Sequence, residues 1–130
     1  MPLKLDNPAT VGPPLGAYSH SVELPPGAKL IFVSGQVPVR SDGHCGETLA
    51  EQSDQVYANI VAVLAAKGVP PNHIVKLTTF IVGDDDAEVV REARRKHLGD
   101  HRPASTAVYV RRLVDPRWKV EIDAVAVVPD

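Results

Sequence analysis

Two short runs near the end of the chain carry the residue types that could do chemistry. Arg102-Pro103-Ala104-Ser105-Thr106 leads into one strand, and Val120-Glu121-Ile122-Asp123-Ala124 answers it from another. A strand-borne carboxylate beside a small-residue strand start is the layout of a shallow polar site, where the acid orients a water and moves its proton. The competing reading of Glu121 is an edge-strand charge that deters aggregation. Ser105 has no histidine base in any obvious arrangement, which argues against a serine nucleophile. His97 and His101 have the spacing of helical metal ligands, but Gly99 breaks the helix between them and no third ligand lies near. No metal is expected. Cys45 is the only cysteine. It sits beside His44 in a polar, Gly-rich turn, where an exposed thiol is usually incidental.

The bulk properties bound what these residues can serve. A chain of 130 residues suits one domain, and at that size roughly two-thirds of the unfolded surface is buried, enough for a core without staples. With 44% hydrophobic and 23% charged residues the composition is that of an ordinary globular protein. A formal net charge of −2 argues against a nucleic-acid partner, which needs a concentrated basic surface. One cysteine permits no internal disulfide, so a reducing compartment is the plain inference. No signal peptide is evident and no apolar run approaches membrane-spanning length. These readings place the protein in the cytoplasm, away from any membrane.

The elements that must position Glu121 and Ser105 follow from periodicity. Residues 1–15 are proline-rich and aperiodic, an expected N-terminal arm, with a single domain over 16–130. Ala17–Leu24 reads as a strand, Pro25-Pro26-Gly27 forces a turn, and Lys29–Ser34 is a second strand that closes a hairpin. Val37 and Val39 suggest a short third strand. Thr48 with Glu51 is a capping box that opens a helix to Lys67. Leu49, Val56, Ile60, Val63 and Leu64 form its apolar face, and Gly68 with Pro70-Pro71 stops it. Ile74–Val82 is a strand. Asp84-Asp85-Asp86 opens a second helix that Arg94, Arg95 and Lys96 close, acid and base complementing its dipole. Its stripe is Val89, Val90, Ala93 and His97. Ala104–Arg111 and Trp118–Val128 are the last strands. The order β-β-(β)-α-β-α-β-β predicts an α+β layer with both helices on one face.

That layer leaves a surface unaccounted for. Trp118, Val120, Ile122, Ala124, Ala126 and Val128 can pack under the helices, whereas Lys119, Glu121, Asp123, Val125 and Val127 face the side no helix covers. A partly apolar, uncovered sheet face is usually buried by another copy of the chain. The expectation is a homo-oligomer with Glu121 near a subunit boundary.

Six runs occur in a familiar order: Gly16-Ala17-Tyr18-Ser19-His20, Phe32-Val33-Ser34-Gly35-Gln36-Val37-Pro38, the helix carrying Gln55 and Asn59, Ile74-Val75-Lys76-Leu77-Thr78-Thr79-Phe80, Pro103-Ala104-Ser105, and Val120-Glu121-Ile122-Asp123-Ala124. Together they resemble the Rid (YjgF-type) reactive-intermediate deaminase family from Gly16 to Val128. The resemblance implies a chorismate-mutase-like α+β fold with a mixed sheet, a homotrimer, and ligand clefts between subunits. It further implies hydrolysis of enamine or imine products of amino-acid dehydratases to a 2-keto acid and ammonia, without a cofactor. By resemblance Tyr18, Gly35 and Glu121 occupy the positions of family site residues, Glu121 as the catalytic carboxylate that handles water. Ser34 and the Ala104–Thr106 backbone, including Ser105 and Thr106, line the cleft.

A 2-imino acid presents a carboxylate that must be held while water attacks the neighbouring carbon, and a guanidinium fork grips both its oxygens. Deaminase members of the family read Pro-Ala-Arg-Ser where this chain reads Pro103-Ala104-Ser105-Thr106. Losing one charge-assisted contact removes about 1.5–3 kcal/mol, and ~3 kcal/mol is more than a hundredfold in rate. Arg91, where many relatives carry an asparagine, is a substitute cation, against the alternative that it pairs with Glu88 or the Asp84–Asp86 cluster. Arg102 is a second, poorer substitute. The expected function is binding, with hydrolysis, of a small polar metabolite other than a simple 2-imino acid. The alternatives are a non-catalytic ligand sensor or accessory subunit and, further off, the ribonuclease activity attached to some relatives.

Overall fold

The computed structural model describes residues 3–84 and 86–130. Asp85, the middle of the acidic run, lies outside them. The elements are β1 (Lys4–Asp6), β2 (Ser21–Glu23), β3 (Leu30–Gln36), α1 (Leu49–Ala65), β4 (Ile74–Val82), α2 (Ala87–Leu98), β5 (Ala104–Val110) and β6 (Val120–Val127). The four long strands form one sheet in the order β3-β6-β4-β5, while β1 and β2 pair only with each other. β4 and β5 run parallel, with α2 as the crossover that parallel pairing requires; the other pairings of the main sheet are antiparallel.

The expected hairpin between the first two predicted strands does not form. β3 pairs with β6, in register Phe32↔Val125 and Val33↔Ala124, and Ser21–Glu23 turns away to meet Lys4–Asp6. Burial decides this: Ser21 and Glu23 are exposed, whereas Val33 is a core residue that must sit in the main sheet. Val39 makes only an isolated bridge to Cys45 rather than a strand.

Both helices lie on one side of the sheet. Val120, Ile122, Ala124 and Ala126 of β6 pack there with Val56, Ile60 and Leu64 of α1 and Val90 and Ala93 of α2. Thr48 caps α1, its Oγ1 accepting the Glu51 N–H at 3.1 Å. At the far end Gly68 takes φ of 70°, which lets the Val69 N–H reach the Leu64 carbonyl at 3.0 Å. Two positions differ from expectation. Val63 is 39% exposed, whereas Tyr57, outside the predicted stripe, is buried at 1%. Val127 is buried at 2% exposure, whereas strict alternation predicts it on the open face; the β4–β6 register shifts between Ile74 and Lys76 beside that end of the strand.

Polar side chains of α1 fix the loops around the open end of the sheet. Asn59 Nδ2 donates to the Val37 and Val39 carbonyls, each at 3.1 Å, and Gln55 holds the Asn59 Oδ1 at 2.8 Å. Buried Gln52 donates to the Gly46 and Arg117 carbonyls and accepts the Lys119 N–H at 2.7 Å. The segment after β3 and the one before β6 are thereby tied to one helix.

A carboxylate joins the two helices. Asp54 Oδ1 accepts from Lys96 Nζ and from His97 Nε2, both at 2.8 Å, and His97 stacks on Tyr57 with ring centroids 6.2 Å apart. Lys96 first, then His97, holds the Asp54 carboxyl below its usual 3.8. A depressed carboxylate pKa stabilises the fold above the ordinary value, and that stability is lost as pH falls through the folded value. Because the Asp54 side chain is 45% exposed, screening limits the effect to less than about 1 kcal/mol. Asp54→Asn is therefore expected to lower the urea midpoint slightly at pH 7. The gap from the parent should close once the pH is well below 3.8. A gap that widened in acid would contradict this assignment.

Candidate functional site

Tyr18 stands in a loop, not in a strand. Its phenol oxygen accepts the Leu15 N–H at 3.1 Å, and its ring meets His20 edge-on at 5.8 Å. The loop is fastened to the start of β5, where the Ser19 hydroxyl donates to the Arg102 carbonyl at 2.6 Å and the Ser19 N–H to the Pro103 carbonyl at 3.2 Å. Arg102 itself is exposed. Gly16, Tyr18, Arg91, Arg94, Ser105 and Thr106 line one cleft of about 370 Å³ between this loop, α2 and β5.

The floor of that cleft is a smaller recess of about 40 Å³ that shares Arg91, Arg94 and Ser105 and adds Tyr57 and Thr79. Burial pushes the Tyr57 phenol up to about 12. Ser105 sits opposite Leu77 in the parallel pairing, on the helix side; Thr106 sits opposite Thr78, on the open side, where its Oγ1 accepts from Lys76 Nζ at 2.8 Å.

The two guanidiniums differ in what they already hold. Arg91 Nη1 meets Glu88 Oε2 at 3.3 Å, and the same carboxylate takes Arg95 Nη2 at 2.6 Å. These partners, Arg95 before Arg91, hold the Glu88 carboxyl below its usual range. Arg94 is half-buried, and no hydrogen bond or ion pair engages it among the described residues. Burial pulls its pKa down, with Arg91 and Arg95 adding to the effect and Tyr57 and, least, Glu88 opposing it. A guanidinium keeps its proton regardless, so the direction reports a desolvated cation with no carboxylate in direct contact.

Glu121 lies on the opposite, open face of the sheet. It is paired in register with Phe80 and shares a cleft of about 470 Å³ with Phe80, Val110, Arg112, Leu113 and Val114. Gly35, at the irregularity between Val33 and Gln36, lies under the carboxylate. A Cβ there would come within 2.9 Å of Glu121 Cδ and overlap the carboxylate oxygen, so any larger residue displaces the acid. Ser34 is exposed on the same face. No hydrogen bond or ion pair holds the Glu121 carboxylate among the described residues, and the nearby Arg112 is occupied with the Leu113 and Val114 carbonyls at 3.1 Å.

One chain thus brings Tyr18, Arg91, Ser105 and Thr106 together and holds Glu121, Gly35 and Ser34 elsewhere. Among the described residues no three His, Cys, Asp or Glu side chains cluster as metal ligands, and no helix is long and apolar enough to cross a membrane. His97 and His101 point to different partners, Asp54 and the Ile74 carbonyl.

The family model described as endoribonuclease L-PSP matches residues 10–128. The chain belongs to this family, the Rid or YjgF group. A relative, the 2-iminobutanoate/2-iminopropanoate deaminase of Salmonella typhimurium, is 32% identical over 124 residues, covering 92% of this chain and 91% of that one. The crystal structure of YyfB, a Rid family protein of unknown function from Yersinia pestis, has a TM-score of 0.87 at 29% identity and covers 98% of this chain and 100% of its own. Escherichia coli TdcF, solved with bound serine, has a TM-score of 0.72 at 29% identity, covering 96% of this chain and 98% of that one. The Rid fold, two helices on one side of a mixed sheet, is the architecture described above.

Sequence reading had not singled out Arg94 or Tyr57 for the cleft. From the sequence, Arg94 reads only as a base complementing the helix dipole. Its position one residue after buried Ala93 and four after buried Val90 marks the flank of the inner stripe, a signal that was available. Tyr57 adjoins Val56 on the inner face of α1 and carries the same kind of signal.

Proposed function

We propose that the chain binds, and hydrolyses, a small polar imine- or enamine-type metabolite in clefts formed between copies of itself, as a homotrimer. The observation that carries this reading is the division of the polar groups. The Tyr18–Arg94–Ser105 cleft holds cations and hydroxyls but no acid, while Glu121 sits unpaired on the open face that also carries Phe32, which is 76% exposed. A neighbouring copy that covers Phe32 is the economical way to give both halves their complement. Each chain, as one Rid-like unit over residues 16–130, then contributes Tyr18 and α2 to one cleft and Glu121, Ser34 and Gly35 to the next.

Chemically, Tyr18 retains its hydroxyl proton for a ligand because its oxygen already accepts from Leu15. Glu121 activates water for attack on the imine carbon, and ammonia leaves. Relatives named as deaminases of 2-imino acids, and one solved with serine, support a ligand of that chemistry. Ser105 shapes the choice of substrate. Without a guanidinium on β5, the shortest 2-imino acids lose their usual grip, and the room left beside Ser105 and Ala107 suits a longer side chain. The same feature favours the second reading, a ligand sensor or accessory subunit whose cleft binds without turnover.

The test generates imines in situ with an amino-acid oxidase and follows their capture by semicarbazide, with the chain mass measured by light scattering. The expected results are a trimer and a loss of semicarbazone from imines of branched or long side chain. A trimer with no effect on any imine would leave the sensor reading; a stable monomer would overturn both.

A further inference from the structure

We infer that Arg94, projecting from α2 rather than from the strand, is the carboxylate seat of this cleft, with the Ser105 hydroxyl as a secondary donor; the inference rests on the ligand cleft proposed above. Three observations converge on it. The first is occupancy: Arg91 is engaged by Glu88, and Arg112 by two backbone carbonyls, whereas no described residue hydrogen-bonds or ion-pairs with Arg94. The second is position. Arg94 lines both the outer cleft and its inner recess, in each case with Ser105.

The third is energetic. A half-buried cation with no carboxylate in direct contact is costly to the folded chain, and an incoming anion relieves that cost. Glu88 relieves it only weakly and from a distance, because its oxygens are in contact with Arg91 and Arg95. A guanidinium offers two parallel donors to a carboxylate, so a 2-oxo or 2-imino acid is gripped at both oxygens. The floor beneath it, Tyr57 and Thr79, adds no anion at neutral pH, since the Tyr57 phenol is held up to about 12. One free guanidinium matches one carboxylate, so the preferred ligand is a monocarboxylate.

The probe is 2-oxo-4-methylpentanoate, the stable keto counterpart of a branched imino acid, together with its uncharged methyl ester, both titrated by calorimetry against the full chain. The parent is expected to bind the acid at least about tenfold tighter than the ester. Arg94→Ala should weaken the acid by about ten- to a hundredfold and leave the ester within about twofold. Arg94→Lys should fall between them, since it keeps the charge and loses the fork. Arg40→Ala, which removes a cation paired with Asp42 away from the cleft, should shift the acid by less than about threefold.

An unchanged acid affinity in Arg94→Ala would overturn the inference. So would equal binding of acid and ester by the parent, or no binding of either. A folded Arg94→Lys chain with parental affinity for the acid and a weakened ester would also overturn it. Failure of the catalytic reading is separate: it shows as absent imine hydrolysis, with the acid–ester preference and its dependence on Arg94 intact.

Discussion

Glu121→Gln is expected to slow imine hydrolysis by at least about a hundredfold while leaving 2-oxo acid binding within about twofold. Glutamine keeps the shape of the side chain and removes its ability to take a proton from water. The substitution is informative because no hydrogen bond or ion pair holds the Glu121 carboxylate among the described residues, so little is orphaned when it is neutralised. What fixes Glu121 is packing: Gly35 lies under it on one side and Phe80 faces it on the other. Turnover assayed by semicarbazone capture is the readout, and a variant as active as the parent would remove Glu121 from the mechanism. Ordinary urea midpoints for this variant would exclude misfolding as the cause.

Ile122→Ala is expected to cost about 2–5 kcal/mol of stability, the range for deleting a buried isoleucine to alanine. Ile122 is 0% exposed and lies on the helix side of β6, between Gln36 of β3 and Thr79 of β4 in register. A cavity there sits under the residue that precedes it, Glu121, so activity should fall along with the urea midpoint. The measurement is urea unfolding at one fixed chain concentration, because any assembly makes the midpoint concentration-dependent. The mirror-image control is Asp123→Ala on the open face, where the loss should stay within about 0.5 kcal/mol. Equal losses at 122 and 123 would contradict the assignment of faces.

Much of this architecture was legible because local signals agreed. Thr48, Gly68 and the apolar spacing between them delimited α1, and Asp86 and Gly99 did the same for α2. The alternation in β6 told the two faces of the sheet apart and placed Glu121 on the open one. What failed was pairing. A Pro-Pro-Gly turn between two extended runs reads as a hairpin, but the choice of partner depends on which residues can be buried, and Val33 belonged beside Ala124. Val127 escaped for a related reason, since strict alternation does not anticipate a register shift. For the cleft, Tyr18, Arg91, Ser105 and Thr106 were all named in advance and do line one cavity. Arg94 was not, because its role follows from what Glu88 does with its neighbours, a competition among side chains that residue spacing cannot rank.

Phe32 has a bearing on how the protein ages. It stands on β3, at the rim of the sheet, and β5 at the opposite rim also carries exposed apolar side chains such as Val108 and Tyr109. A separated chain therefore offers greasy patches and unsatisfied backbone donors along two borders at once. In the trimer proposed above, warming that parts the copies would send material toward clumps faster than toward a refoldable coil. Shelf life would then be set by how often the copies of that trimer come apart, and a melting temperature read from a scan would drift with heating speed.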